Sequence, residues 1–197
     1  HMLMQPADFA ALAGRLGIGE TETIVVYDGM GLFSAPRVRW TFMVMGAKDV
    51  CILAGGLPAW RAENLPLETG ESSRPKRTFN ADFDPSRVAT LAGMRTLTRT
   101  GERQILDARP AARFTGAAPE PRPGLRSGHM PNAKSAPADT LVENGQLKPP
   151  DALRAQFQGA GVDLERPIVT PCGSGVTAAT LKLALEQAGA TDVILYD

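Results

Sequence analysis

The feature that most constrains the fold of this chain is a segment that occurs twice. The first copy runs Ile24-Val25-Val26-Tyr27-Asp28-Gly29-Met30-Gly31, continues through a helix-like stretch to Met45, and then reads Gly46-Ala47-Lys48-Asp49-Val50. The second runs Ile168-Val169-Thr170-Pro171-Cys172-Gly173-Ser174-Gly175, passes through its own helix-like stretch, and reads Gly189-Ala190-Thr191-Asp192-Val193. Apolar strand, glycine turn, helix and Gly-Ala-x-Asp-Val follow in one order, with spacings that agree to within one residue. Each copy is a βαβ-type unit, which requires parallel strands joined by a right-handed crossover. The expected class is therefore α/β, a parallel sheet flanked by helices.

The copies part company at the turn. The second has Cys172 at the mouth of a glycine-rich loop that leads into a helix. Glycines let the backbone curl so that N–H groups point inward, and the helix adds its positive end. Both favour negative charge on the sulfur, the state in which cysteine is a nucleophile. The first copy has Asp28 at that place, which cannot serve as a sulfur nucleophile, so it reads as non-catalytic. Taken alone, Cys-Gly-x-Gly also fits a phosphate loop or a cysteine buried in a tight turn. A cysteine phosphatase needs an arginine where Ala178 stands, and a dinucleotide loop needs a third glycine where Ser34 stands.

At 197 residues the chain has room for one large domain or two small ones. Its 21 basic and 21 acidic residues balance, so no field invites nucleic acid or a membrane surface, and a small substrate is expected. No apolar run reaches the roughly 18 residues that span a bilayer, and no signal peptide is visible. Cys51 and Cys172, the two cysteines, cannot form a metal site by themselves. Neither a metal nor an organic cofactor is expected. Cys51, within Val50-Cys51-Ile52-Leu53, reads as a buried, inert thiol. Reduced cysteines without a targeting segment point to the cytoplasm. His1-Met2 reads as an expression scar, which leaves His129 as the histidine to consider.

Residues 3–61 are expected to form the C-terminal part of a non-catalytic domain, with an amphipathic stretch over 7–16. Residues 62–84, with Pro66, Gly70, Ser72-Ser73 and Pro75, read as a linker. Residues 85–197 read as a nearly complete catalytic domain. Within it we expect a helix over 86–99 capped by Ser86, a strand over 103–107, a long loop over 116–128, and a helix over 150–159 with Asp151 in its first turn. The second copy has far more chain ahead of its loop than the first, so the chain is expected to be a fragment, cut in its first domain and shortened at its C-terminus.

The string Cys172-Gly173-Ser174-Gly175-Val176-Thr177-Ala178 resembles the active-site loop of the 3-mercaptopyruvate sulfurtransferases, a family of the rhodanese superfamily. Leu106-Asp107-Ala108-Arg109, Arg113-Phe114, Glu120-Pro121-Arg122 and Ser127-Gly128-His129-Met130-Pro131 resemble the front half of the same family's catalytic domain. The resemblance implies tandem rhodanese-like domains and an enzyme in which Cys172 takes sulfur from 3-mercaptopyruvate as a persulfide. Pyruvate is released, and the sulfur passes to cyanide, a small thiol or a dithiol protein. It implies that Arg113 and Arg122 hold the donor's carboxylate and carbonyl, a task suited to the rigid guanidinium fork. Ser174 or water supplies a proton, and the backbone of Gly173, Gly175, Val176 and Thr177 cradles the sulfur. Asp107, at the carboxyl end of a strand, either supports the chemistry or bonds an arginine to fix the following turn. Arg126 either attracts anions or sits on the surface. His129 is read as structural, and in the family the histidine and aspartate that partner the loop serine come from the front half of the first domain. The uncharged Gly173-Ser174 step suits a monoanionic 2-oxo acid, since thiosulfate-using relatives tend to place basic side chains there. The alternatives are a thiosulfate:cyanide sulfurtransferase, and a non-catalytic persulfide carrier or binding module.

Overall fold

The computed structural model describes residues Met2–Asp197, which divide into two compact units. The N-terminal unit takes in Met2–Pro85 with Asn144–Gln146, and the C-terminal unit Ser86–Glu143 with Leu147–Asp197. Among the described residues no helix is long and apolar enough to cross a membrane.

The N-terminal unit contains α1 (Pro6–Arg15), β1 (Ile24–Val26), α2 (Ala35–Val44), β2 (Val50–Ile52) and α3 (Gly56–Ala62). β1 and β2 pair in parallel, Ile24 beside Val50 and Val26 beside Ile52, as the first repeat requires. Proline at the start of α1 costs nothing because the first-turn amides have no helical acceptor. The core of this unit is aromatic: the Phe9 ring meets those of Phe42 and Phe79 edge to face, at 5.0 and 5.3 Å. Phe79 belongs to the segment over 63–84, which has no helix or strand. The latter part of that segment is nevertheless bound to the unit. The Arg77 amide donates to the Gly14 carbonyl at 3.0 Å, and the Asp82 and Asp84 amides donate to Met45 and Val44. Gly14 permits that approach, since a Cβ there would lie 2.5 Å from the Arg77 carbonyl oxygen.

The expectation of a buried Cys51 is corrected: its side chain is exposed. Side chains alternate along a strand, so Val50 turns into the core and Cys51 turns away. Its cross-strand partner Val25 shares that outer face and is 57% exposed.

The C-terminal unit is built on a five-stranded parallel sheet. Its elements are β3 (Val88–Ala89), α4 (Leu91–Thr100), β4 (Gln104–Asp107), α5 (Ala111–Thr115), β5 (Ala133–Ser135), the short β6 (Val142–Glu143) and β7 (Gln146–Leu147), of which Gln146 groups with the N-terminal unit, α6 (Pro150–Gly159), β8 (Ile168–Thr170), α7 (Val176–Gln187) and β9 (Val193–Tyr196). The sheet order is β3-β9-β8-β4-β5. β8 is central and buried at every residue, which its Ile-Val-Thr composition suits. Alternation sends successive side chains to opposite faces. Leu106 and Ile168 join Leu153 and Phe157 of α6 and Leu181 and Leu185 of α7. Ile105 and Val169 join Met94 of α4. The result is a three-layer helix–sheet–helix arrangement.

The helix expected over 86–99 begins later. Residues Pro85–Arg87 make a single 3-10 turn, and Val88 and Ala89 are a strand paired with Leu195 and Tyr196 of β9. The cap of α4 is Thr90 rather than Ser86, its hydroxyl accepting from the Gly93 amide at 3.1 Å. Sheet pairing wins here because it satisfies backbone groups that an extra helical turn would leave at the edge of the sheet.

Candidate active site

The carboxyl ends of β4 and β8 meet at one rim of this sheet, which is where an open parallel sheet exposes a crevice. Cys172 follows β8 by two residues. Gly173, Ser174 and Gly175 then turn the chain into α7, with Gly175 in the left-handed conformation at φ 74° as the N-cap. The Cys172 Sγ accepts from the Gly175 amide at 3.0 Å and from the Ser174 amide at 3.4 Å, and the residue is half-buried. Two amides and a helix N-terminus therefore converge on the sulfur, an arrangement that stabilises an anion. Val176 and Thr177 form the first turn of α7, half-buried beside it.

A cavity of about 620 Å³ opens over this loop, lined by Cys172 and Gly173 and by Arg109, Glu120, Arg122 and Arg126, among others. A chain of alternating charges runs along its wall. Asp107, 2% exposed at the end of β4, accepts from Arg109 Nε at 3.0 Å and Nη2 at 2.7 Å. It also accepts from the Arg109 amide, so it fixes the turn after the strand. Arg109 Nη1 donates to Glu120 at 2.8 Å and Nη2 to the Gly128 carbonyl at 2.7 Å. Glu120, its side chain 4% exposed, takes two further bonds from Arg113, from Nη2 at 2.5 Å and Nε at 3.1 Å. The Arg113 bond, above all, outweighs desolvation and with Arg109 holds the Glu120 carboxyl below the usual range, so it stays ionised. Bonding to Asp107 likewise holds Arg109 protonated more firmly than usual.

Arg113 and Arg122 come together at Gly173. A Cβ on that residue would lie 2.9 Å from Arg113 Nη2 and 3.9 Å from Arg122 Nη2. Both guanidinium groups thus flank the residue next to the sulfur. Arg122 is exposed and has neither a hydrogen bond nor an ion pair among the described residues. The Ser174 amide points at the sulfur. His129 lines the cavity, but its Nδ1 lies 2.8 Å from the Phe114 carbonyl oxygen and its ring stacks on Phe114 at 3.9 Å. It pins the loop over 116–128 to α5. Among the described residues no group of three metal-ligating side chains is present.

The first copy of the repeat also gathers backbone amides at its turn, there around Asp28. Asp28 accepts from the amides of Met30 at 2.8 Å, Phe33 at 2.7 Å, Ser34 at 2.8 Å and Ala35 at 2.9 Å. Desolvation pushes its carboxyl up, but these four amides together win and hold it below the ordinary value. Relative to the helix that follows, Phe33 and Ser34 correspond to Ser174 and Gly175, and Ala35 to Val176.

In the sequence Glu120 stands in the Glu120-Pro121-Arg122 motif with no role of its own. The available signal was its position between Arg113 and Arg122 in a loop otherwise poor in charge. Tyr196, the last residue of β9, also lines the cavity and carried no sequence signal.

Residues 2–63 and 90–197 match the family model for the rhodanese-like domain. The chain is 45% identical over all of its 197 residues to the Escherichia coli (strain K12) protein named 3-mercaptopyruvate sulfurtransferase, and covers 70% of it. It is 41% identical to the Homo sapiens protein of the same name, covering 67% of that chain. Among solved structures it is similar to SseA from Escherichia coli, described as a 3-mercaptopyruvate sulfotransferase with the rhodanese fold. There the TM-score is 0.91 at 42% identity, over all of this chain and 73% of that one.

Proposed function

The chain belongs to the rhodanese-like domain family, and on that premise we propose that it is a sulfurtransferase that moves sulfur from 3-mercaptopyruvate to a thiol or cyanide through a persulfide on Cys172. The observation that carries this reading is the sulfur itself, half-buried at the start of α7 with the Gly175 and Ser174 amides at 3.0 and 3.4 Å. In the proposed reaction, the Cys172 thiolate attacks the sulfur of 3-mercaptopyruvate and forms an S–S bond. The donor's C–S bond breaks with its electron pair going to carbon, which gives the enolate of pyruvate. The proton on the transferred sulfur is lost, and the enolate carbon gains one through water or Ser174. The product is Cys172–S–S⁻ and pyruvate. A nucleophilic acceptor, cyanide or a thiolate, then takes the outer sulfur and restores the thiolate.

Arg113 and Arg122 are assigned to hold the 2-oxo acid carboxylate and carbonyl beside the attacking sulfur, a role supported by their position on either side of Gly173. The Asp28 carboxylate supports the role of Val176. A carboxylate oxygen and the outer sulfur of a persulfide both stand two bonds beyond Cβ. Ala35, in the place of Val176, donates to that oxygen at 2.9 Å. The amides of Gly175, Val176 and Thr177 are thus assigned to the persulfide, as preorganised donors for its charge. Both cysteines are free, which fits a reducing compartment such as the cytoplasm. Pyruvate release from 3-mercaptopyruvate with cyanide as acceptor tests the reading. The wild-type chain should turn over and Cys172→Ser should not; equal rates for the two would refute it.

A further inference from the structure

We propose that Glu120 determines the specificity of the donor pocket, by fixing the direction of Arg113 and by limiting the pocket to one positive charge in excess. This rests on the sulfur-transfer reading and concerns which donor anion the same site prefers. The side chains that line the cavity or abut Gly173 include four guanidinium groups, on Arg109, Arg113, Arg122 and Arg126. Against them stand the carboxylates of Asp107 and Glu120 and, in the proposed reaction, the negative charge that Cys172 carries as the attacking nucleophile. Asp107 is committed to Arg109, and Glu120 bridges Arg109 and Arg113. What remains in excess is a single positive charge, which matches a monoanion such as 3-mercaptopyruvate and undercompensates a dianion such as thiosulfate.

The structural side of the argument is the geometry of the bridge. Both oxygens of Glu120 bind Arg113, at Nε and Nη2, and it is this same tethered Nη2 that stands against Gly173, so the bridge fixes where the guanidinium meets the sulfur loop. A carboxylate this buried serves two arginines and cannot turn to water. Its removal would release Arg113 and leave the pocket with a second uncompensated charge. Thiosulfate would then transfer its outer sulfur to Cys172 more readily: the S–S bond of the donor breaks, sulfite leaves with the electron pair, and the same persulfide forms. The dianion gains twice the attraction of the monoanion from the added charge. At roughly 6 Å, in a half-solvated pocket, that difference amounts to about a tenfold change in relative preference.

The test compares kcat/KM for thiosulfate and for 3-mercaptopyruvate, with cyanide as acceptor, in the wild-type chain and three variants. Glu120→Gln should raise the thiosulfate-to-mercaptopyruvate ratio about tenfold, with KM for 3-mercaptopyruvate rising as Arg113 loosens. Glu120→Asp keeps the charge and should hold the ratio near the wild-type value. Arg126→Gln removes an exposed charge that has no partner among the described residues, and should lower the ratio. A merely structural Glu120 would depress both donors together and leave the ratio unchanged, which would overturn the proposal. If Glu120→Gln fails to fold, a ratio that stays level or rises in Arg126→Gln overturns it as well. A second readout needs no turnover: protection of Cys172 from alkylation by pyruvate and by sulfate in the same four proteins. Absence of pyruvate release in the wild-type chain would refute the sulfur-transfer reading, whereas an unshifted pyruvate-to-sulfate protection ratio would refute the role of Glu120.

Discussion

Replacing Gly173 with alanine is a small change whose effect follows from distances alone. The new Cβ would lie 2.9 Å from Arg113 Nη2, where carbon and nitrogen rest comfortably at about 3.5 Å. Arg122 Nη2, at 3.9 Å, is in ordinary contact and need not move. The strain therefore falls on Arg113, which must retreat by roughly half an ångström. It cannot do so freely, because Nη2 and Nε are tied to Glu120 at 2.5 and 3.1 Å. A displacement of about 1 Å in a positioning group costs on the order of 100-fold, so half of that should cost roughly tenfold in kcat/KM. The loss should appear chiefly as a higher KM for 3-mercaptopyruvate. Stability should change by less than about 1 kcal/mol, since no buried group is lost and Gly173 is outside the left-handed region. Steady-state kinetics and a denaturant melt on the same preparation read both quantities. An unchanged KM, or a large loss of stability with normal kinetics, would refute the placement of Arg113 against the sulfur loop.

Three further predictions concern the scaffold. Asp28→Ala should destabilise the chain by about 3 kcal/mol at neutral pH, because four amides lose an ionised acceptor. As the Asp28 carboxyl is held low when folded, its contribution is fully present above the unfolded value of about 3.9 and is lost as pH falls through the folded value. Melts at pH 7 and near pH 3 should therefore show a gap between wild type and variant that closes on acidification. Thr90→Ala removes the side-chain cap of α4 and should cost about 1 kcal/mol by chemical denaturation, whereas Ser86→Ala should leave the α4 cap intact. Cys51, exposed at the surface, should be alkylated by a bulky maleimide in the folded protein, and protection would contradict its outward placement.

The repeat made the fold class legible, because strand, glycine turn and helix recur in residue types whose backbone preferences are strong. The sulfur loop was legible for the same reason: Gly175 takes a conformation that side chains resist, and it sits at the helix start where the pattern places it. What escaped depends on partners distant in sequence. Val88 and Ala89 are a strand because β9 lies beside them, and local propensity carries no sign of that. Cys51 lies in an apolar run, yet its exposure is decided by which face of a short strand has a neighbour. The Glu120 carboxyl stays ionised with little exposure because Arg109 and Arg113 both bond to it, one 11 and the other 7 residues earlier in the chain. Sequence shows the three charges without the geometry that joins them.

The central claim is that Cys172 carries the sulfur between donor and acceptor. Mixing the protein with 3-mercaptopyruvate in the absence of acceptor, then quenching for peptide mass spectrometry and pyruvate analysis, addresses it directly. The account predicts the peptide containing Cys172 heavier by one sulfur atom, Cys51 unmodified, and pyruvate released in equal amount. Pyruvate formed with no sulfur on Cys172, or sulfur found on Cys51 instead, would contradict it.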